Sequence, residues 1–439
     1  MRALPLIAFL LILLPPAMVR PDTPVVDSLA TRGKLGIPRE RARLLESELG
    51  QLFIINVDGF GYSGPLALEP DFAPLVERLQ VGGVIPHYGS SDYLRIRRTN
   101  RALAGMTRLP LLVCSDIMRL RSRGTAGRVS SAFGDGYVGG FIGKYRLLPD
   151  SQFQTLAELN AFVLAAVGVN VALGPTVDDS TRDPDTAVRA REIMRQLRRF
   201  GLEPVLKHFP FLPSGANLHH ESPDTRVPPL NAERRFSIFR DLADVSPILM
   251  TTHLNDSLVD RRIVTFSPSW LDLLRRDTGF SGLLMSDGLL MLKNYVDRSM
   301  LGGSPDTGGD PRELAGVDGT AVWALRAILA GHDFIIVEGS AGQTERVFDG
   351  LLRVACSGTP LGNDLADRIE ASSQRIRSFK LDHAALLSRQ IDVPASAIDA
   401  VIAMAPRDGV DLRAFRFPEA SLDDLAPRIA EAEVAEAAP

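Results

Sequence analysis

Short, continuous runs of apolar residues recur along the chain, separated by longer stretches of mixed polarity. Strands of a parallel sheet are covered on both faces and are therefore continuously apolar, whereas half-exposed strands alternate. The runs predict buried parallel strands. They are "LFIINV" (52–57), "GGVIP" (82–86), "PLLVCS" (110–115), "VNVAL" (169–173), "EPVLK" (203–207), "PILMTT" (247–252), "GLLMS" (282–286) and "DFIIVE" (333–338).

The stretches between the runs have the pattern of amphipathic helices. Examples are "AVRAREIMRQLRRF" (187–200) and "AVWALRAILAG" (321–331). A strand followed by a helix, repeated about eight times, is typical of parallel α/β folds. We predict an α/β fold of the (β/α)8 TIM-barrel type in a single domain. The alternative is an open, doubly wound sheet, but eight strand–helix units favour closure into a barrel.

Polar residues follow the apolar runs. In a (β/α)8 barrel the carboxyl ends of all strands open onto one face, and this face holds the active site. We therefore expect a single mouth lined with carboxylates, imidazoles and one lysine, which suits a polyhydroxylated ligand. The residues are Asp58, His87, Asp116, Asp178, Lys207, His208, His253, Asp287 and Glu338.

The composition is that of a soluble globular protein. The 439 residues are 45% hydrophobic and 23% charged, which allows a large core. A net charge of −4 provides no basic field for nucleic acid, so we expect no nucleic-acid partner. The two cysteines, Cys114 and Cys356, form neither a disulfide framework nor a metal-ligand spacing. We expect a monomer.

The N-terminus differs from the rest of the chain. Residues 1–22 combine a positive start, an apolar run from Ala3 to Leu14 and then prolines, which is the layout of a secretory signal. We predict export to the periplasm or the extracellular space, with an uncleaved N-terminal membrane anchor as the alternative. The predicted organisation continues with a linker and first helix (23–44), the barrel (45–385) and a C-terminal extension (386–439).

Metal and serine-hydrolase chemistry are both disfavoured by the motifs. Carboxylate and imidazole ligands suit several divalent ions, but no H-x-H stands at a strand end and no H-E-x-x-H helix is present. No G-x-S-x-G nucleophile elbow occurs either. We therefore expect neither a metal ion nor an organic cofactor.

Longer segments around these runs occur in a fixed order, namely "GGVIPHYGS", "LPLLVCSD", "GVNVALGPTVD", "KHFP", "MTTHL", "GLLMSDGLLM" and "AVWALRAILAGHDFIIV". They resemble the landmarks of glycoside hydrolase family 3, especially its bacterial β-N-acetylglucosaminidases (β-N-acetylhexosaminidases). The resemblance covers about residues 45–385, and K-H-F-P followed by S-D-x-L is its most specific part. It implies a (β/α)8-type barrel as a single catalytic domain and a carbohydrate substrate.

The resemblance also implies roles for individual residues. The nucleophile of the family is the aspartate of an S-D-D-L motif, and Asp287 in "SDGLLM" occupies its place. A retaining glycosidase needs such a carboxylate to attack the anomeric carbon and hold a glycosyl-enzyme intermediate. The residues expected to bind the sugar are Asp116, Arg121, Lys207, His208 and His253.

The loop that should carry the general acid/base departs from the family pattern. The family reads K-H-F-P-G-H-G-D and then D-x-H, and the last histidine is the acid/base. Thirteen residues after Lys207 comes His220, so that histidine is kept, but Leu218 replaces the aspartate that assists it. Glu221 is adjacent, although neighbours on an extended chain point in opposite directions. G-H-G-D has become "FLPS" (211–214).

Two functional hypotheses follow. The first is a retaining exo-glycosidase that releases a terminal β-linked N-acetylhexosamine from peptidoglycan fragments or a related glycan, with Asp287 and His220 as the catalytic residues. The second is a catalytically impaired glycan-binding or scaffold protein of the cell envelope, because the departures gather around the sugar site. A β-glucosidase that takes its acid/base glutamate from a second domain is disfavoured, because the extension after residue 385 is too short to form one.

Overall fold

The protein forms a closed barrel of eight parallel strands in the order β1 to β8, with β8 pairing back onto β1. The computed structural model describes residues 24–57, 71–86, 93–115, 150–178, 186–211, 232–254, 259–294 and 314–389. The predicted (β/α)8 barrel is confirmed. The strands are β1 (Phe53–Asn56), β2 (Gly83–Ile85), β3 (Leu112–Ser115), β4 (Val171–Ala172), β5 (Glu203–Phe209), β6 (Ile248–Thr251), β7 (Leu283–Gly288) and β8 (Phe334–Val337).

Helices lie between the strands in sequence and complete the repeating unit. Two of them precede the first strand, where the sequence predicted a linker and one helix. The helices are α1 (Pro24–Thr31), α2 (Arg39–Leu49), α3 (Phe72–Leu79), α4 (Tyr93–Ala104), α5 (Asp150–Ala166), α6 (Thr186–Arg199), α7 (Ala232–Leu242), α8 (Pro268–Thr278), α9 (Gly319–Ala330), α10 (Ala341–Ala355), α11 (Pro360–Asp382) and α12 (Ala384–Leu387). Short 3-10 turns occupy Gly50–Leu52, Val264–Phe266 and Leu289–Asn294.

The barrel strands are buried on both faces. Every residue of β1, β2, β3, β4, β6 and β8 is buried. This explains why the runs are continuous rather than alternating, since no strand face meets water. Each fully buried Leu, Ile or Val side chain contributes about 1.5–3 kcal/mol to the free energy of folding. The barrel is therefore the hydrophobic core around which the helices pack.

Two strands extend beyond their apolar runs. β5 continues to Phe209 and β7 continues to Gly288, in each case two residues past the predicted end. The pairing register shifts between Leu206 and Phe209 on β5, and between Met285 and Gly288 on β7. Such irregularities are frequent next to active sites, where they re-aim side chains. Here they lie at the residues that carry the predicted site.

An aromatic cluster holds the end of β5 against the helices. The Phe209 ring centroid lies 5.7 Å from that of Phe236 and 5.2 Å from that of Phe239, both on α7. The Trp270 ring of α8 is 6.0 Å away. Ring pairs at such separations add to the stabilisation that burial provides. The cluster therefore fixes the backbone just after Lys207 and His208.

Helix α11 closes the opposite end of the barrel. Its Lys380 is fully buried and donates hydrogen bonds from Nζ to Gln51 Oε1 (2.9 Å) and to the carbonyl oxygen of Gly82 (2.8 Å). These acceptors precede β1 and β2, so one side chain joins the helix to the entry of two strands. Burial lowers the pKa of Lys380 to about 7, with Cys114 acting weakly in the opposite direction. Among the described residues, no helix has the length and hydrophobicity to cross a membrane.

Stability should depend on pH through Lys380. Between pH 7 and the ordinary pKa of 10.5 the unfolded chain binds a proton at this amine that the folded protein does not hold. The free energy of unfolding of the wild type should therefore rise by roughly 1–3 kcal/mol from pH 7 to pH 9, relative to Lys380→Met, which cannot titrate. Denaturant unfolding of both proteins at the two pH values measures this difference. Parallel pH dependence in both would contradict the assignment.

Candidate functional site

The carboxyl ends of β5 to β8 bring several of the predicted residues to one face of the barrel. Lys207 and His208 lie near the end of β5, His253 just after β6, Asp287 near the end of β7, and Glu338 just after β8. Other predicted residues, namely Asp58, His87, Asp116, Arg121 and His220, lie outside the described residues, as do Leu218 and Glu221. The described part of the site is therefore the half of the mouth that these four strands build.

Asp287 is an ionised carboxylate that is partly accessible from the mouth. Its Oδ1 accepts a hydrogen bond of 2.8 Å from the backbone N–H of Gly288. Burial alone would raise the pKa of Asp287, but His208, His253, the Gly288 N–H and Lys207 together hold it below its ordinary value. The carboxylate is therefore anionic at neutral pH, as a nucleophile must be.

A serine hydroxyl fixes the backbone at Asp287. Ser286 Oγ donates to the carbonyl oxygen of Asp287 (2.9 Å) and accepts from the N–H of Ile336 on β8 (3.2 Å). This bridge joins β7 to β8 at the point where their regular pairing is interrupted. It restores a connection between the strands and so limits movement of the carboxylate.

His208 is oriented by Asp178. The Oδ2 atom of Asp178 lies 2.9 Å from Nδ1 of His208, and its Oδ1 accepts the His208 backbone N–H at 3.2 Å. Because a carboxylate accepts and does not donate, Nδ1 carries the proton in the neutral ring, which leaves Nε2 as the acceptor nitrogen. The sequence placed Asp178 at a strand end but did not pair it with His208, because the pairing joins the segments that follow two neighbouring strands, β4 and β5, 30 residues apart in the sequence.

Lys207 is a buried cation whose backbone extends the pairing of β4 with β5. Its carbonyl oxygen accepts the N–H of Val177 at 2.7 Å, and its own N–H donates to the carbonyl of Pro175 at 3.1 Å. The side chain is 4% exposed and is one of the groups that lower the pKa of Asp287. The Lys207–His208 peptide is cis.

His253 lies beneath the mouth and contacts the protein with both ring nitrogens. The side chain is fully buried, with Nδ1 2.7 Å from Thr265 Oγ1 and Nε2 2.8 Å from the carbonyl oxygen of Gly288. Nε2 therefore donates to the residue after Asp287. This places His253 as a support for the end of β7, while its contact with a sugar stays a prediction.

Glu338 is a second carboxyl group beside Asp287. It is 7% exposed, and its Oε2 accepts the backbone N–H of Leu290 at 3.2 Å. Burial, followed by the negative charge of Asp287, raises the pKa of Glu338 to about 7. The site thus combines one carboxyl that is always ionised near neutral pH with one that can hold a proton, a division that defines acid and base roles in many enzymes.

Within the described residues, no three or more His, Cys, Asp or Glu side chains are grouped so that they could bind a metal ion. The chemistry that the described residues can perform is that of a carboxylate nucleophile in a positive surrounding, with hydrogen-bonding groups close by. Such a site suits attack on an electrophilic carbon of a hydroxylated ligand.

Comparison with protein families and sequences gives two matches. Residues 44–377 match the model of the glycosyl hydrolase family 3 N-terminal domain. A curated β-hexosaminidase from Methylococcus capsulatus is 29% identical over 219 residues, which cover 45% of this chain and 58% of the relative. The chain therefore matches rather more than half the length of this relative.

Comparison with solved structures identifies similar barrels. A family 3 β-N-acetylglucosaminidase from Paenibacillus sp. str. FPU-7 superimposes with a TM-score of 0.57 and 21% identity, covering 82% of this chain and 68% of that one. A β-N-acetylhexosaminidase from Beutenbergia cavernae has a TM-score of 0.56 and 20% identity, covering 76% and 98%. At these identities the similarity establishes the fold.

Replacing the Asp178 carboxylate by an amide should change the tautomer of the His208 ring. In Asp178→Asn the amide can donate to Nδ1, so the neutral ring should shift from the Nδ1–H tautomer towards the Nε2–H tautomer. Nitrogen-15 chemical shifts of labelled histidine measure the tautomer populations. Asp244→Asn, which alters an exposed aspartate paired with Arg191, is the matched control. An unchanged His208 tautomer in Asp178→Asn would contradict the assigned contact.

Proposed function

Because the chain belongs to glycosyl hydrolase family 3, we propose that it is a retaining exo-glycosidase that removes a terminal β-linked N-acetylhexosamine. The observation that carries the proposal is the state of Asp287. It is a partly accessible carboxylate at the end of a barrel strand, and His208, His253 and Lys207 keep its pKa low. The names of the Methylococcus, Paenibacillus and Beutenbergia proteins support the choice of N-acetylhexosamine.

The reaction proceeds in two displacements. The Asp287 carboxylate attacks the anomeric carbon, and the bond from that carbon to the leaving oxygen breaks as this oxygen receives a proton from an acid. A glycosyl ester of Asp287 results. The acid, now deprotonated, takes a proton from water, whose oxygen attacks the same carbon and releases Asp287 as a carboxylate. Two inversions give net retention.

His220 is the proposed acid and base, and the other predicted residues hold the sugar. The proposed roles of Lys207 and His208 are supported by their effect on the pKa of Asp287 and by the Asp178 contact, which leaves Nε2 of His208 as an acceptor for a sugar hydroxyl. The remaining proposed sugar ligands are Asp116, Arg121 and His253. The proposed substrate source is peptidoglycan fragments or a related glycan, in keeping with the signal-like N-terminus and proposed export. We propose that the protein acts as a monomer.

A second function is favoured by one specific observation, the leucine at position 218. Without the aspartate that the family pattern has there, the imidazole of His220 lacks its usual partner to stabilise the protonated form. The barrel would then bind a glycan without hydrolysing it, as a binding or scaffold protein of the cell envelope. Direct assays of turnover and binding distinguish the two functions.

Asp287→Ala should abolish hydrolysis of a chromogenic β-N-acetylglucosaminide. Loss of a covalent nucleophile should lower kcat by at least about 10³-fold, since the remaining groups stabilise the transition state only in part. Asp272→Ala, at an exposed aspartate of α8, is the matched control and should keep full activity. If the wild type turns over none of several aryl glycosides yet binds the free sugar in calorimetry, the binding function replaces the enzymatic one.

Restoring an aspartate at position 218 should raise activity. In Leu218→Asp a carboxylate two residues before His220 could orient the imidazole and stabilise its protonated form, so kcat should increase up to about tenfold. Leu218→Asn is the matched control, because it has the same shape without the charge. The pH–rate profiles of both variants are measured beside the wild type. A large loss of activity in Leu218→Asp alone would show that the loop does not act in this way.

A further inference from the structure

The end of β7 is held from both neighbouring strands. From the β6 side, His253 Nε2 donates to the carbonyl oxygen of Gly288 at 2.8 Å. From the β8 side, Glu338 Oε2 accepts the N–H of Leu290 at 3.2 Å. Between these contacts the Gly288 N–H donates to Asp287 Oδ1. Asp287 is therefore hydrogen-bonded to a short segment, Gly288–Leu290. The buried side chains of His253 and Glu338 fix the position of this segment.

The carboxyl group of Glu338 also occupies the space above the Cα atom of Gly288. A Cβ atom added at Gly288 would lie 2.6 Å from Cδ and Oε2 of Glu338 and 2.8 Å from Oε1. Real Cβ atoms do not approach other atoms so closely, so only glycine admits the carboxyl group at this place. In the S-D-D-L motif this position is a second aspartate, and here its side-chain volume is supplied by the next strand.

We propose that Glu338 is a positioning residue for the Asp287 carboxylate, acting through the Gly288–Leu290 turn that its carboxyl group supports. The inference rests on the proposed role of Asp287 as nucleophile. Glu338 itself touches Gly288 and Leu290 rather than the reacting atoms. Its effect on catalysis is to keep Asp287 Oδ1 and the Gly288 N–H in one geometry, where a misplacement of about 1 Å can cost up to 10²-fold in rate.

The charge of Glu338 matters because Asp287 is ionised beside it. Among the described residues, the charged groups that act on Glu338 are Asp287 on β7 and Lys293 on the following turn. Asp287 is in turn affected by His208, His253 and Lys207. Two carboxylates in close, water-poor contact repel each other strongly. Ionisation of Glu338 strengthens its hydrogen bond from the Leu290 N–H but adds repulsion of Asp287, and its pKa of about 7 shows that burial and this repulsion outweigh the hydrogen bond. The protonated form, present up to neutral pH, holds the turn without repelling Asp287.

Kinetics of three variants test the positioning role. Glu338→Gln has the size of glutamate and is uncharged, like the protonated form of Glu338. It should therefore retain kcat within about twofold below pH 7. Glu338→Asp withdraws the carboxyl by one methylene, and Gly288→Ala displaces it; each should lower kcat at least about tenfold with little change in KM, because geometry rather than binding is lost. Glu46→Gln, the same change at a buried glutamate of α2, is the control and should match the wild type.

The pH profile supplies a readout that a purely structural contact would not change. As Glu338 ionises above pH 7, the wild type should lose kcat/KM relative to Glu338→Gln, because a second carboxylate then repels Asp287. The ionisation of His220 affects both proteins equally, so the ratio of their rates isolates Glu338. Superimposable profiles, or wild-type kcat in Glu338→Asp, would overturn the inference.

Thermal unfolding gives a test that needs no substrate. The unfolded chain releases the Glu338 proton near the ordinary pKa of 4.5, whereas the folded protein keeps it to about pH 7. The stability that this proton provides is complete below pH 4.5 and is lost as the pH rises to about 7. The melting temperature of the wild type minus that of Glu338→Gln should therefore fall by a few degrees over this interval and then stay constant.

The outcomes separate this inference from the proposed function. If Asp287→Ala remains active, the nucleophile is assigned wrongly and the positioning role is overturned with it. If Asp287→Ala is inactive while Glu338→Asp behaves as the wild type, the enzyme assignment stands and only the role of Glu338 is overturned. If nothing is turned over, a melting-temperature difference that does not change with pH overturns the proton-carrying contact.

Discussion

The site depends on a single constraint: eight parallel strands close into a barrel, so all their carboxyl ends face the same way. Closure is completed by the pairing of β1 with β8, where Phe53 is opposite Ile335. Because each strand is buried on both faces, polar groups are excluded until the strand ends. Functional side chains that are far apart in the sequence, such as those of Lys207 and Glu338, therefore lie at the same face of the barrel. The opposite end of the barrel is closed by contacts such as that of Lys380, which have no part in this chemistry.

An anionic Asp287 at a strand end must be stabilised by its surroundings, since burial opposes its charge. His208 and Lys207 at the end of β5, and His253 just after β6, supply the compensating potential. The same negative charge then raises the pKa of the adjacent Glu338. The negative charge of Asp287 and the proton of Glu338 therefore depend on each other. A change in the protonation state of one carboxyl group would shift the pKa of the other.

The fold could be predicted from the sequence because it depends on local pattern. Continuous apolar runs locate all eight strands to within a few residues, and even β4, only two residues long, lies inside its run. The extensions of β5 and β7 could not be predicted, because the added residues are polar or aromatic and pair irregularly. What keeps them in the sheet is packing such as that of Phe209 against α7 and α8, which involves residues far apart in sequence.

The sequence predicted which residues lie in the mouth better than it predicted what each of them contacts. Position after an apolar run identified Lys207, His208, Asp287 and Glu338 as residues of the mouth. The position of His253 after a strand could not show that its Nε2 bonds the carbonyl oxygen of Gly288, because this contact depends on how deeply the ring is buried. Nor could it show that Asp178 orients His208, or that a glycine on β7 makes room for the carboxyl group of Glu338, just after β8.

The departures from the family pattern include one on a strand, Gly288 of β7, and one between β5 and α7 in the sequence, Leu218. A strand residue such as Asp287 is surrounded by partners on both sides, so a change there disturbs packing, hydrogen bonding and charge together. Leu218 lies outside the described residues, and in the family pattern its position affects the proposed acid and base, His220. In the proposed reaction, the nucleophile therefore depends on strand residues that depend on one another, whereas proton transfer in both displacements depends on His220, which lies after β5 in the sequence. A change at position 218 would alter proton transfer and leave the surroundings of Asp287 as they are.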